Sequence, residues 1–339
     1  MTARSKRDFL STKDLKRDEV ENLLELAERM KRKGPAPAQS LLPGKTLGLL
    51  FFSRSLRTRV SFEVAMEQLG GKCVVVSAQQ DIYELEPDEK AVMDGRAEEH
   101  VKDAARTLSR YLDALAVRHL GFGKDFAQDQ QEPVLTGYAR NATVPVINLE
   151  SSMQHPCQAV ADIMTMRERA TRLEGRTLSI VWTNHPQPRS MAVPNSLLLL
   201  AATMGMNVRL VHPLGYELDS GVLQAAQQNA ERGGGKVTVL NQPEAGVDRA
   251  DFVYARSWGS LKYYGDTERE ALVKRSLGHW MVTPQLMART QNAWFLHPLP
   301  VRRNVDVTDD VMDGERSAVY DQAENRMHTQ KAILVNLLK

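Results

Sequence analysis

Thr46-Leu47-Gly48-Leu49-Leu50-Phe51-Phe52-Ser53-Arg54-Ser55-Leu56-Arg57-Thr58-Arg59 reads as a strand handing over to a helix. Thr46 to Phe52 is a short apolar run of strand length. Beyond it, Val60, Phe62, Val64, Ala65 and Leu69 give a broad apolar helix face that stops at Gly70-Gly71. A helix start carries free backbone N–H groups and a partial positive charge, and so binds phosphate readily. Hydroxyls at Ser55 and Thr58, with guanidiniums at Arg57 and Arg59, make that start a site for a strongly anionic phosphate. Two arginines at a helix start are ordinarily just solvated. What changes the reading is a second motif, His155-Pro156-Cys157-Gln158, about one hundred residues later and again after a predicted strand.

Strand and helix patterns alternate outward from this stretch. An amphipathic helix with Val20, Leu23, Leu24, Ala27 and Met30 on one face comes first, stopped by Gly34 and Pro35. A short turn-rich loop, Pro35-Ala36-Pro37-Ala38, follows. After Thr46–Phe52 come strands over Lys72–Ser77, Ala114–Arg118 and Val144–Leu149, with helices near Glu98–Leu112 and Pro133–Arg140. A charged helix, Met164–Glu174, precedes a second series with strands over 177–182, 207–212, 236–240, 251–255, 293–296 and 318–320. A final helix spans about Glu324–Leu338, with Met327, Ala332, Ile333 and Leu337 on one side. The expectation is α/β: two doubly wound parallel-sheet domains of similar size with an active-site cleft between them. Residues 1–152 form the first domain and 153–323 the second, and the C-terminal helix 324–339 packs back on the first.

The chain has 339 residues, enough for two such domains with sizeable cores. Forty-four basic against 42 acidic residues leave a net charge of +2, so nothing argues for nucleic acid or membrane binding. No run of apolar residues is long enough to span a membrane, and Met1 to Arg7 is too polar for a secretory signal. Two cysteines, Cys73 and Cys157, make neither a disulfide framework nor a four-cysteine zinc site, so a reducing cytoplasm is the expected location. Cys73 reads as a small buried hydrophobe, and Cys157 lacks an evident activating base.

Ser55-x-Arg57-Thr58-Arg59 and His155-Pro156-x-Gln158, in this order, resemble the carbamoyltransferases of the aspartate, ornithine and N-acylornithine types. The resemblance implies that Ser55, Leu56, Arg57 and Thr58 cradle the phosphate of carbamoyl phosphate. It implies that Arg118, Thr58 and His155 polarise the carbamoyl carbonyl, as an oxyanion-type clamp. Gln158 reads the carbamoyl NH₂ through its amide oxygen, and Arg326 adds a phosphate contact. Arg57, Thr58, Arg118, His155 and Gln158 are thus the expected catalytic set. A third motif, His297-Pro298-Leu299-Pro300, offers backbone carbonyls at Pro298 and Leu299. Ornithine-type enzymes usually read His-Cys-Leu-Pro there and aspartate-type enzymes His-Pro-Leu-Pro.

Within the family, Val92 to His100, Trp182-Thr183-Asn184-His185-Pro186 and Tyr254-Ala255-Arg256-Ser257-Trp258-Gly259 look like the N-acetylornithine group. Its second-substrate contacts fall on Glu98, Glu150, His185, Arg256, Leu299, Arg302 and Asp306. In that group the residue at Glu98 reaches a neighbouring subunit's site and favours acetyl over succinyl, because a carboxylate there repels succinate's free carboxylate. As a plain alternative, Glu98 caps the helix Glu98–Leu112. The chain departs from the pattern at several points. Tyr83 replaces a tryptophan of the mobile loop, Arg256 stands for lysine, and Asp306 replaces a lysine that carries a carbamate. The Glu150–His155 segment is one residue longer than in the family pattern. The resemblance implies a homotrimer with shared sites, transfer from carbamoyl phosphate to N-acetyl-L-ornithine, and no metal or organic cofactor. Transfer to N-succinylornithine or free ornithine, or a non-catalytic scaffold that keeps the phosphate pocket, are the alternatives.

Overall fold

The computed structural model describes residues 6–34 and 40–339, so the loop Pro35–Ala38 lies outside the described residues. The first sheet is built from β1 (Thr46–Phe51), β2 (Lys72–Ser77), β3 (Ala114–Arg118) and β4 (Val146–Glu150), in the order β2-β1-β3-β4. All of its strand pairs are parallel. The second sheet takes β5 (Thr177–Trp182), β6 (Asn207–Val211), β7 (Lys236–Leu240), β8 (Phe252–Arg256) and β9 (Trp294–Leu296), in the order β9-β8-β5-β6-β7, again all parallel. Parallel strands covered on both faces read as near-continuous apolar runs, and β1, β3, β4, β5 and β8 are buried along nearly their whole length.

Each sheet reverses its winding once: between β1 and β3 in the first, and between β5 and β8 in the second. Ligands of doubly wound sheets bind at such switch points, beyond the strand carboxyl ends. Phe51 pairs with Arg118 at the first reversal and Trp182 with Arg256 at the second. The key sequence motifs therefore sit where the topology opens a crevice.

Several helices differ from their predicted extents. The His-Pro motif opens its own helix, Pro156–Arg169, in place of the predicted Met164–Glu174. Pro156 occupies the first helical position, where a missing N–H costs nothing. The predicted strand Ala318–Tyr320 is instead the start of the last helix, Val319–Leu338. An isolated bridge, Ser317 to Phe295, is all that remains of strand pairing there. The helix expected from Glu98 begins at Val101, with His100 as its cap: His100 Nδ1 accepts from the Lys102 N–H at 3.2 Å. Glu98 lies just before a short parallel ribbon that leads into this helix, where Leu85–Glu86 pairs with Glu99–His100. The helix-capping role for Glu98 is thereby corrected.

The last helix packs on Arg17–Lys33, on Pro156–Arg169 and on Leu56–Gln68, the helix that starts at the Ser55 motif. Near the crossing between the two halves, Thr12 Oγ1 donates to the Ser196 carbonyl (3.1 Å), and Ser196 Oγ accepts from the His155 N–H (2.8 Å) while donating to Gln154 Oε1 (2.8 Å). No described helix is long and apolar enough to cross a membrane.

Candidate active site

A cavity of about 580 Å³ opens where the two sheets' carboxyl ends face each other. On the first-sheet side, Ser55 caps the helix Leu56–Gln68 in an extended conformation, and its hydroxyl takes no part in capping. Ser55, Leu56, Arg57 and Thr58 all line the cavity. Burial lowers the pKa of the Arg57 guanidinium, although it remains a cation at any ordinary pH. Thr58 is buried, and its Oγ1 accepts from Arg326 Nη2 at 2.6 Å, so the last helix delivers its arginine to the first turn of this one. Arg59 does not join them. It points to solvent and pairs with Glu63 one turn on, at 3.5 Å.

Arg118 leaves the end of β3 and pairs through Nη1 with the Glu150 carboxylate at the end of β4, both nearly buried. Burial alone would raise the Glu150 pKa. The charges of Arg118, His155 and Arg256 outweigh it and hold the carboxyl at about 2, so Glu150 is an anion. His155 Nε2 lies 3.6 Å from Glu150. Burial depresses its pKa to about 3 despite the attraction of Glu150, with Arg326, Arg118 and Arg256 pushing the same way. The imidazole is neutral at working pH, and its Nδ1 is buried without a partner among the described residues.

Gln158 is aimed by what lies behind it. Its Nε2 donates to Asp162 Oδ1 at 2.7 Å, as does Gln322 Nε2, while Tyr254 OH donates to Asp162 Oδ2 at 2.9 Å. With the amide nitrogen committed, the amide oxygen is left to face the cavity that Gln158 lines. Burial raises the Asp162 pKa to about 6 against those three hydrogen bonds. Cys157, between the motif's functional positions, is buried with its thiol pushed up to about 12 and set against the Asn148 carbonyl at 3.5 Å.

On the second-sheet side a smaller chamber of about 280 Å³ adjoins the first, and Arg189, Arg256 and Pro300 line both. His185, Arg302, His297 and Asp306 line the smaller one. Arg302 Nε donates to His185 Nε2 at 3.0 Å, which leaves His185 Nδ1–H to donate to the Gln187 carbonyl at 2.8 Å. Burial, partly offset by that carbonyl, takes the His185 pKa to about 4. Asp306 Oδ2 accepts from the Arg302 N–H at 2.9 Å, and burial raises its pKa. Pro298 and Leu299 line the main cavity, and the Pro298 carbonyl accepts from His297 Nδ1 at 2.8 Å.

Besides Arg59, the structure leaves two of the predicted residues outside the chambers and brings the others together. Tyr83 is 69% exposed, and Glu98 is exposed beside the ribbon; neither lines either chamber. Arg189 escaped the sequence reading. It lies three residues past the Trp182–Pro186 motif, in a loop with no periodic signal, and only its arginine in a Pro-flanked turn marked it.

A helix start carrying Ser55, Arg57 and Thr58 that faces Arg118, a neutral His155 and an aimed Gln158 suits a small anionic ligand. Residues 7–168 match the family described as aspartate/ornithine carbamoyltransferase, carbamoyl-P binding domain, and residues 176–337 match its Asp/Orn binding domain. The chain belongs to the aspartate/ornithine carbamoyltransferase family, and it is a carbamoyltransferase. It is 40% identical over 337 residues to the N-acetylornithine carbamoyltransferase of Xanthomonas campestris pv. campestris, covering 98% of each chain. The Xylella fastidiosa (strain 9a5c) protein of the same name is 40% identical over 332 residues, covering 97% of this chain and 98% of its own. A crystal structure of acetylornithine transcarbamylase complexed with acetylcitrulline superposes with a TM-score of 0.95 at 40% identity, covering 98% of this chain and 99% of that one.

Proposed function

We propose that this enzyme transfers the carbamoyl group of carbamoyl phosphate to the side-chain amine of N2-acetyl-L-ornithine, giving N-acetyl-L-citrulline and phosphate in arginine biosynthesis. The observation that carries it is one cavity holding the Ser55–Thr58 helix start, the Arg118–Glu150–His155 cluster and Arg256 together. The phosphate dianion sits on the helix start against Arg57, Ser55 and Thr58, with Arg326 behind. Arg118, Thr58 and neutral His155 donate to the carbonyl oxygen, which gains negative charge as the amine attacks. Gln158 accepts from the carbamoyl NH₂ and fixes the plane of the group. Anionic Glu150 draws in the acceptor amine, and Leu299 and Pro298 offer carbonyls to it. The amine attacks as the free base; the carbon–oxygen bond to phosphate breaks, and the phosphate takes up the amine's proton. His185, Arg302 and Asp306 surround the acyl group in the smaller chamber.

Residues 1–152 bind carbamoyl phosphate and 153–323 bind the acceptor, with the last helix returned to the first unit. The working assembly is a cytoplasmic homotrimer in which the Tyr83–Glu98 segment completes a neighbour's site. Its relatives' substrates and the shared motifs support this reading. The test is a product assay with carbamoyl phosphate against N-acetylornithine, N-succinylornithine and ornithine. Preferred turnover of N-acetylornithine is the expected result, and turnover of free ornithine alone would overturn the acceptor assignment.

A further inference from the structure

We infer that Arg189 and Arg256 form a two-guanidinium clamp for a carboxylate of the acylated amino-acid acceptor, at the junction of the two chambers. The inference rests on the acceptor reading above and adds a residue to it. Both arginines line both chambers. The nearby carboxylates are already engaged, Glu150 by Arg118 and Asp306 by the Arg302 N–H. Arg256 is more than nine-tenths buried, and among the described residues its Nε has no hydrogen-bond partner. Arg189 makes no ion pair within the described residues; its backbone carbonyl accepts from the Gly259 N–H at 2.9 Å. Two neighbouring cations repel each other: burial and then Arg256 disfavour the charge on Arg189, and the already engaged Glu150 and Asp306 offset them only in part. That arrangement is costly unless an anion completes it.

The anion is not the phosphate, whose cradle stands on the other sheet with its own arginines. A carboxylate accepts two planar guanidiniums well, one on each edge. The loop that carries Arg189 is held in readiness. Pro186 and Pro188 restrict its backbone, and Gly259 lets it approach: a Cβ there would lie 3.0 Å from Pro188 Cβ. Preorganised donors lose little freedom on binding.

Calorimetry with saturating carbamoyl phosphate and the unreactive acceptors N-acetyl-L-norvaline, its carboxamide, and N-succinyl-L-norvalinamide separates the possibilities. Losing one charge-assisted contact corresponds to an affinity loss of about 10- to 100-fold. Arg189→Met is expected to weaken N-acetyl-L-norvaline by that factor and leave its carboxamide nearly unchanged, with Arg189→Lys intermediate. If the loss falls on the succinyl ligand instead, the clamp holds and its carboxylate is the acyl one. Equal losses for charged and uncharged ligands mean that Arg189 only shapes the loop, and overturn the inference while leaving the acceptor reading standing. Wild type that binds none of the three overturns both.

Discussion

Arg57, in the cavity wall, and Asp162, behind Gln158, show how differently single residues of one site are constrained. Arg57 lines the cavity, and in the proposed cradle it contacts the phosphate, so Arg57→Ala removes a charge-assisted contact of about 1.5–3 kcal/mol or more and should abolish measurable carbamoyl phosphate binding. Unchanged affinity by titration calorimetry would sink the cradle assignment. Asp162 never meets the ligand but aims Gln158 from behind. Its folded pKa of about 6 exceeds that of an unfolded aspartyl, near 3.9. The folded protein therefore holds this proton more tightly than the unfolded chain, and this group's contribution to stability falls as pH rises from about 4 to about 6, by roughly 3 kcal/mol. Asp162→Asn keeps an oxygen for Gln158 and Gln322 and removes the buried charge. Urea unfolding should show its advantage over wild type growing across that window; an equal pH dependence in both would remove Asp162 as the cause. The Ser-x-Arg-Thr-Arg and His-Pro-x-Gln positions were legible because short motifs at helix starts fix geometry locally. Asp162 and Arg189 were not, since their roles arise from side chains distant in sequence.

At the scale of elements, two loops from opposite halves meet across the cavity mouth. The Asp129 carboxylate, buried, accepts from the Phe122 and Gly123 N–H groups at 2.6 and 2.7 Å and from Tyr264 OH at 2.7 Å. Gly265 faces the same crossing closely, where a Cβ would lie 2.5 Å from the Lys124 carbonyl. Tyr264→Phe deletes the Tyr264–Asp129 hydrogen bond, the side-chain tie between the two segments among the described residues. It is expected to speed hydrogen exchange in residues 260–265 and lower kcat/KM, with little change in global unfolding, because the Asp129 cradle for its own loop remains. Unaltered exchange in that segment would show that the loops are held by packing alone. The strands were legible because parallel sheets bury both faces and leave apolar runs. The misread Ala318–Tyr320 obeys the same physics: Ala318 and Val319 are buried at the start of a helix, and three residues carry too little period to tell helix from strand.

The molecule as a whole leaves the contacts predicted for Tyr83 and Glu98 unfulfilled within a single chain. Glu98 is exposed beside the ribbon, away from both chambers, while its N–H bonds the Glu84 carbonyl at 3.2 Å. Exposed Tyr83, Val92 and Met93 lie in the same segment. In the shared-site assembly proposed above, this placement would let the Glu98 carboxylate act on a neighbour's acyl chamber and not on its own. Glu98→Ala is the cleaner probe than proline, which would also delete the N–H to Glu84. Since the helix is capped by His100, the substitution should leave the melting temperature nearly unchanged. Removing a like-charge contact in a partly dry pocket should move the acetyl-to-succinyl ratio of kcat/KM toward succinyl by roughly 5- to 150-fold. Mixed oligomers then separate action across subunits from action within one. In hybrids of Glu98→Ala with Arg57→Ala, every site with an intact cradle belongs to a Glu98→Ala chain. Such a site can receive glutamate only from an Arg57→Ala neighbour. Recovery of the wild-type acetyl preference as the Arg57→Ala fraction rises is the expected outcome. Hybrids whose active sites keep the Glu98→Ala ratio at every mixing proportion would place the effect of Glu98 within its own chain and remove the shared-site argument for a trimer.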